Sequence, residues 1–159
     1  MRRIGTAAVI ASALALAGAS LASGDSGFAP GKTVVLSGKT VQRNIVHTDD
    51  SGFALGDQAV FTNDLSVNGK PAGTDGGVCT VVRIGDPAAQ TGTVQCQLTY
   101  SLSGGQITAQ GLMSLTSGGF IGKQTVAITG GTGLYRDARG VAVLEFIHPG
   151  ELTVTLALR

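Results

Sequence analysis

The sequence has few of the residues that give a domain strong charge or a large aromatic core. None of its 159 residues is tryptophan, aromatic residues make up 4% and charged residues 13%. Positive charges form no cluster, so neither nucleic acid nor an anionic membrane surface is expected as a partner. Neither a Ser–His–Asp set nor paired carboxylates indicates a hydrolase. Beyond residue 22, no window places apolar residues at helical spacing, which argues against helices.

The first 22 residues have the three parts of a secretory signal peptide. Arg2 and Arg3 precede an apolar run over 4–16, and small residues follow at two cleavage points, after Ala19 or Ala22. The run is too short to span a bilayer comfortably, which favours a signal peptide over an uncleaved anchor. We therefore expect a secreted, extracellular protein with no membrane contact after cleavage. The predicted division of the chain is a signal peptide over 1–22, a flexible lead-in over 23–32 and one domain over 33–159.

Cysteine and histidine are too scarce for a metal centre. In an exported chain, the two cysteines, Cys79 and Cys96, are expected to form a disulfide. A zinc site would need two more ligands, and His47 and His148 lack the usual close spacing. We expect neither a metal nor another cofactor.

The sequence shows instead an alternation of apolar and polar residues between glycine-rich turn signals. In 106–116, for example, Ile107, Ala109 and Met113 fall on one face of a strand. Eight strands joined mainly by hairpins predict an all-β, antiparallel, up-and-down barrel, because closure removes the exposed edges of the sheet. The predicted strands cover 33–46, 57–67, 77–84, 92–102, 106–116, 120–129, 134–147 and 152–158.

The predicted barrel has more apolar residues than its interior requires. Its sixth to eighth strands are apolar on both faces, whereas a monomeric barrel needs only one apolar face, so we expect a homo-oligomer. With eight strands, the interior is either filled by side chains or holds one small ligand.

Residues 130–133 read Gly-Gly-Thr-Gly. A phosphate-binding loop would need a helix N-terminus after it and usually a lysine, but a β-like run follows. We interpret the motif as a tight strand-to-strand turn in which glycine adopts positive φ. Gly130, Gly131 and Gly133 are the glycines predicted to form this turn.

Several motifs resemble those of two related families. Residues 56–65 (GDQAVFTNDL) resemble the Gly-Asp-x-x-x-Phe-Thr-Asn-x-Leu stretch of plant allene oxide cyclases. Residues 77–79 (GVC), 110–111 (QG) and 127–133 (AITGGTG) follow in the same order as in those enzymes. Residues 130–140 (GGTGLYRDARG) also resemble the signature of dirigent proteins, which share the barrel superfamily.

The resemblance covers roughly residues 56–158 and implies an eight-stranded barrel, commonly trimeric, with an apolar cavity for a small hydrophobic molecule. Both families hold a reactive intermediate in one shape and use little acid–base chemistry. We expect a secreted barrel that binds such a molecule and steers its cyclisation or coupling, as an isomerase-like enzyme would. The alternative is a non-catalytic carrier or structural cell-surface protein.

The resemblance also marks pocket residues. Asn63 matches the asparagine that helps hold a water against the epoxide oxygen in the plant cyclases, and Cys79 matches a pocket-lining cysteine. Residues 32–48 contain no counterpart of the first-strand glutamate of those enzymes, which argues against allene oxide cyclase activity itself. Glu145 lies in an apolar strand and would be a perturbed acid if it faced inward, but periodicity does not orient it. The candidate pocket residues are Phe61, Asn63, Cys79, Tyr100 and Glu145.

Overall fold

A computed structural model describes residues 31–50, 53–86, 88–116, 118–120 and 122–159. The predicted signal peptide and nearly all of the lead-in lie outside these ranges. The strands are β1 Thr33–Val46, β2 Gln58–Val67, β3 Lys70–Ile84, β4 Gly92–Leu102, β5 Gly105–Leu115, β6 Gly122–Gly131, β7 Gly140–His148 and β8 Glu151–Leu158. No helix among the described residues is long and apolar enough to cross a membrane.

The eight strands form one closed barrel in chain order. Each strand pairs antiparallel with its sequence neighbours, and β1 closes the barrel by pairing with β8. The predicted fold class is therefore confirmed. The connections after β2, β4 and β6 lie at one end of the barrel, which we call the closed end. Those after β1, β3, β5 and β7 lie at the other, the open end.

The third strand starts earlier than predicted. It begins at Lys70, directly after a hairpin in which Asn68 and Gly69 have φ of 51° and 75°. The predicted limits of the third strand leave out residues 71–76, but these residues pair with β2 on one side, and from Gly73 onward they also pair with β4. Pairing on both sides outweighs the low strand propensity of glycine.

The seventh strand starts later than predicted. Gly133–Tyr135 forms a 3-10 turn, and β7 begins only at Gly140. Tyr135 is buried, and its hydroxyl donates to the Ser103 carbonyl at 2.9 Å, so this segment folds across the closed end instead of extending. Gly133 has φ of 59°, whereas Gly130 and Gly131 lie within β6.

The predicted disulfide is present. Cys79 of β3 and Cys96 of β4 lie directly opposite each other, their Cα atoms are 4.0 Å apart, and both side chains are buried. The bond therefore joins two adjacent strands from inside the barrel wall.

Apolar side chains fill the barrel below the open end. Leu36, Ile107, Val154 and Leu156 are each fully buried. In β8 every second residue is buried, as expected for a strand with one face inside a barrel. The interior is thus divided into a packed part and, toward the open end, a part that contains cavities.

Candidate active site

A cavity of about 290 Å³ opens at the open end of the barrel. Three of the chain's five phenylalanines, Phe61, Phe120 and Phe146, line it. The rings of Phe120 and Phe146 stack with their centroids 4.9 Å apart. Because flat aromatic faces favour stacked or edge-to-face partners, these walls suit a flat apolar molecule.

Space for the Phe61 ring depends on a glycine in the facing strand. Phe61 of β2 lies opposite Gly77 of β3. A Cβ atom at Gly77 would lie 2.9 Å from Phe61 Cζ and 2.7 Å from Leu98 Cδ2, both closer than a carbon–carbon contact allows. The glycine-rich sequence of β3 therefore contributes directly to the cavity wall.

A row of polar side chains crosses the first three strands on the inside of the barrel. Thr40 Oγ1 donates to Asn63 Oδ1 at 2.7 Å, and Asn63 Nδ2 donates to Asp75 Oδ1 at 2.6 Å. These residues are direct register partners on β1, β2 and β3. Asn63 and Asp75 are buried, and all three residues line the cavity. The row therefore places a carboxyl group in an otherwise apolar chamber.

Burial raises the pKa of Asp75 to about 6, although the hydrogen bonds from Asn63 act in the opposite direction. A carboxyl group with this pKa holds and releases a proton near neutral pH. Sequence reasoning missed Asp75 because it lies before the predicted start of the third strand at residue 77. Its spacing from Gly77 and Cys79 does carry a signal, since alternate residues of a strand share a face.

Tyr100 continues the row on β4, directly opposite Asp75. Its side chain is fully buried, and its hydroxyl has no hydrogen-bond partner among the described residues. Burial raises the pKa of Tyr100, and the nearby charge of Asp75 raises it further. Tyr100 does not line the cavity, so it lies beneath Asp75 in the packed part of the barrel.

A second cavity of about 210 Å³ adjoins the first and shares Arg43, Ala59 and Phe120 with it. Cys79 lines this second cavity. His47 also lines it and contacts the buried Asp57 through Nδ1 at 3.0 Å.

Asp57 anchors the chain that follows β1. Its carboxylate accepts hydrogen bonds from the Thr48 backbone N–H at 2.7 Å, the Thr48 hydroxyl at 3.0 Å and the Ala54 backbone N–H at 3.1 Å. These bonds, the Thr48 backbone N–H foremost, hold the pKa of Asp57 well below its usual range, although burial opposes them. The charged form of Asp57 is therefore the stable one.

The structure separates the five candidate pocket residues. Phe61 and Asn63 line the first cavity and Cys79 lines the second, whereas Tyr100 lies beneath the first cavity. Glu145 faces away from the interior: its side chain is 48% exposed and lies 3.4 Å from Lys123 Nζ on the outer surface. On either side of it in β7, Leu144 is buried and Phe146 is partly buried. Glu145 therefore contributes nothing to either cavity.

No group of His, Cys, Asp and Glu side chains suited to a metal ion occurs in the part of the chain that the structure describes.

A search of curated proteins found no match to the sequence. Among solved structures, a pyocyanin demethylase matches with a TM-score of 0.70 at 32% identity, over 80% of this chain and 100% of its own.

Two Diels-Alderases share the fold at lower identity. One, an exo-specific intermolecular enzyme, has a TM-score of 0.58 at 15% identity, over 80% of this chain and 96% of its own. Another, from Streptomyces koyangensis, has a TM-score of 0.63 at 15% identity, over 80% and 69% respectively. The family model described as an allene oxide cyclase barrel like domain matches residues 39–157. Since this match spans most of the chain, the protein belongs to the allene oxide cyclase barrel-like family.

Proposed function

We propose that the barrel binds a small, flat, largely apolar molecule in the open-end cavity and converts it with Asp75 as the proton-transfer group. The observation that carries this proposal is a buried carboxyl, with a pKa of about 6, in the wall of an aromatic-lined cavity. Carboxyl groups tuned toward the working pH are typical of general acids and bases.

The proposed roles follow from the geometry. Phe61 and the stacked pair Phe120 and Phe146 hold the molecule and exclude water. Asn63, itself fixed by Thr40, orients the Asp75 carboxyl. The shape of the cavity then decides which cyclisation, coupling or other reaction of the bound molecule is favoured. Because a pyocyanin demethylase is 32% identical to this chain, pyocyanin, a flat heteroaromatic molecule, is the first substrate to test.

Binding is tested with N-phenylnaphthylamine, a neutral dye that fluoresces in apolar sites. We expect saturable binding to the wild type. Ala59→Phe, which fills the wall shared by the two cavities, should weaken binding at least about tenfold because it removes cavity volume. Val60→Phe is the matched control, since Val60 is the next residue of β2 and is 40% exposed. Equal loss in both variants, or no binding to the wild type, would overturn the proposed site.

The chemistry is tested with Asp75→Asn against Asp64→Asn, an exposed aspartate of β2. The wild type and Asp64→Asn should convert pyocyanin, as followed by mass spectrometry. Asp75→Asn should be slower by about a hundredfold or more, as expected for loss of a general acid or base. Dye affinity should stay within about twofold in both variants. Full activity of Asp75→Asn would refute the role of Asp75, and dye binding without conversion of pyocyanin would favour the carrier alternative.

We also propose that the protein is exported and assembles as a homo-oligomer, with a trimer as the first expectation. The signal-like residues 1–22 and the disulfide support export to an oxidising compartment. Exposed apolar side chains support assembly, and Val60, Val82 and Leu112 are 40%, 47% and 61% exposed. Intact mass spectrometry of protein from the culture medium should show a chain that starts after Ala19 or Ala22. Native mass spectrometry should show the oligomer, and a monomer would contradict this assignment.

A further inference from the structure

A β-bulge turns Arg43 toward the cavities. The pairing of β1 with β2 shifts between Thr40 and Gln42, so that Thr40 lies opposite Asn63 and Arg43 opposite Phe61. Asn63 and Phe61 both line the first cavity, and so do Thr40 and Arg43, although they are three residues apart. A regular strand would place residues at odd spacing on opposite faces. The extra residue in the bulge therefore places Arg43 at the cavity wall, although the residue stays exposed to solvent at the open end.

Arg43 lies where the two cavities meet. It lines both of them, as do Ala59 and Phe120. Phe61, its register partner on β2, lines the first cavity as well. The positively charged guanidinium group thus borders the space proposed for the bound molecule.

Among the described residues, no carboxylate lies at ion-pair distance from Arg43. The ion pairs found among the described residues involve other side chains. Asp57, in the second cavity, is already engaged by His47, Thr48 and Ala54. Glu151, at the rim of the first cavity, is the register partner of Lys39 on β1. Within the part of the chain that the structure describes, Arg43 is therefore a cation at the cavity junction without a carboxylate counter-ion.

We propose that Arg43 binds an anionic group of the ligand, so that the natural ligand is a flat apolar molecule bearing a carboxylate or a similar compact anion. This inference rests on the proposed function, because it assigns the second end of the molecule that fills the cavity. The apolar body lies along the phenylalanine wall, and the anion meets the guanidinium at the cavity junction. A planar guanidinium forms paired hydrogen bonds to such oxyanions.

Two matched dyes test the proposal. Anilinonaphthalene sulfonate and N-phenylnaphthylamine share an aromatic body, but only the first carries an anion. The wild type should bind the sulfonate about tenfold more tightly than the neutral dye, and sodium chloride should reduce this preference because salt screens charge. Arg43→Gln should abolish the preference by weakening only the sulfonate, and Arg43→Lys should retain part of it. Arg83→Gln, an exposed arginine of β3 outside both cavities, should change neither affinity.

The outcomes separate this inference from the proposed function. If both dyes bind the wild type equally, or Arg43→Gln weakens both alike, the anion site is refuted while the cavity proposal stands. If neither dye binds, the cavity proposal and the anion site fail together. If Arg83→Gln lowers sulfonate affinity as much as Arg43→Gln does, the preference comes from general surface charge and the assignment to Arg43 is wrong.

Discussion

The two ends of the barrel use the same strands for opposite purposes. At the closed end, backbone packs directly on backbone. Thr132 N–H donates to Gln106 O and Leu134 N–H donates to Gly104 O, both at 2.8 Å. The buried Tyr135 side chain covers this end of the interior. At the open end, the strands enclose two cavities and a buried carboxyl group. One end of the molecule is therefore optimised for packing. The other leaves apolar surface and polar groups available to a ligand.

The two buried aspartates near the open end show that burial alone does not decide a role. Asp57 accepts several hydrogen bonds, which lower its pKa, whereas burial dominates at Asp75 and raises its pKa to about 6. Asp57 thus stabilises the fold as an anion. Ionisation of the buried Asp75 carboxyl instead lowers the free energy of unfolding. Such a cost is typical of a functional site.

The largest effect is expected from crowding the closed end. A Cβ atom at Gly131 would collide with the carbonyl oxygens of Gln106 and Tyr135, so Gly131→Ala must displace backbone. We expect the free energy of unfolding, measured with urea, to fall by about 3 kcal/mol. At the open end, a Cβ atom at Gly118 would meet nothing closer than Thr116 Oγ1 at 4.0 Å. Gly118→Ala should therefore change the free energy of unfolding by less than about 0.5 kcal/mol. Similar losses in both variants would show that the two ends are equally tolerant.

The second-largest effect is expected at Asp75, where a substitution should raise the free energy of unfolding instead of lowering it. The folded pKa of about 6 lies above the ordinary value of 3.8, so the folded protein holds this proton more tightly and stability falls as pH rises between these values. Asp75→Asn should therefore increase the free energy of unfolding by roughly 2 to 3 kcal/mol at pH 8. Near pH 3.5 it should change little, because the wild-type carboxyl is then mostly protonated in both states.

The control for this prediction is Asp64→Asn, whose side chain is exposed on the same pair of strands. Its effect on urea unfolding should be small and nearly independent of pH. A gain in stability that does not change with pH in Asp75→Asn would mean that the carboxyl of Asp75 is not destabilised by burial. Together with the activity test, a more stable but inactive variant would identify the open end as the part of the fold that trades stability for function.

Periodicity and turn chemistry are enough to predict the frame of this barrel. The limits of Thr33–Val46 and Gly92–Leu102 agree with those expected from the sequence, because turn or loop signals bound both strands. The disulfide between Cys79 and Cys96 followed from the expected compartment. All of these depend on local patterns or on composition, which a single sequence contains.

The site depends on features that a local pattern does not contain. The bulge between Thr40 and Gln42 changes which residues of β1 face the cavities, so Thr40 and Arg43 both line the first cavity although they are three residues apart. A period of two cannot reveal an inserted residue whose cause is the pairing with another strand. Asp75 was hidden for a similar reason, since its burial depends on pairing with β2 and β4 and not on its glycine-rich neighbours.

The chain's two tyrosines give the smallest and most direct comparison of the ends. Tyr135 donates its hydroxyl hydrogen bond to Ser103 O at the closed end, whereas the Tyr100 hydroxyl, next to the cavity, has no partner among the described residues. Removing a satisfied hydroxyl loses a hydrogen bond and leaves an acceptor, so Tyr135→Phe should lower the free energy of unfolding by about 1 kcal/mol. Removing a buried hydroxyl that has no partner ends a desolvation cost, so Tyr100→Phe should leave that free energy unchanged or raise it by up to about 1 kcal/mol. Urea unfolding of both variants measures the difference. If Tyr100→Phe loses as much stability as Tyr135→Phe, the Tyr100 hydroxyl has a hydrogen-bond partner in solution. The polar row would then not end in an unpaired group.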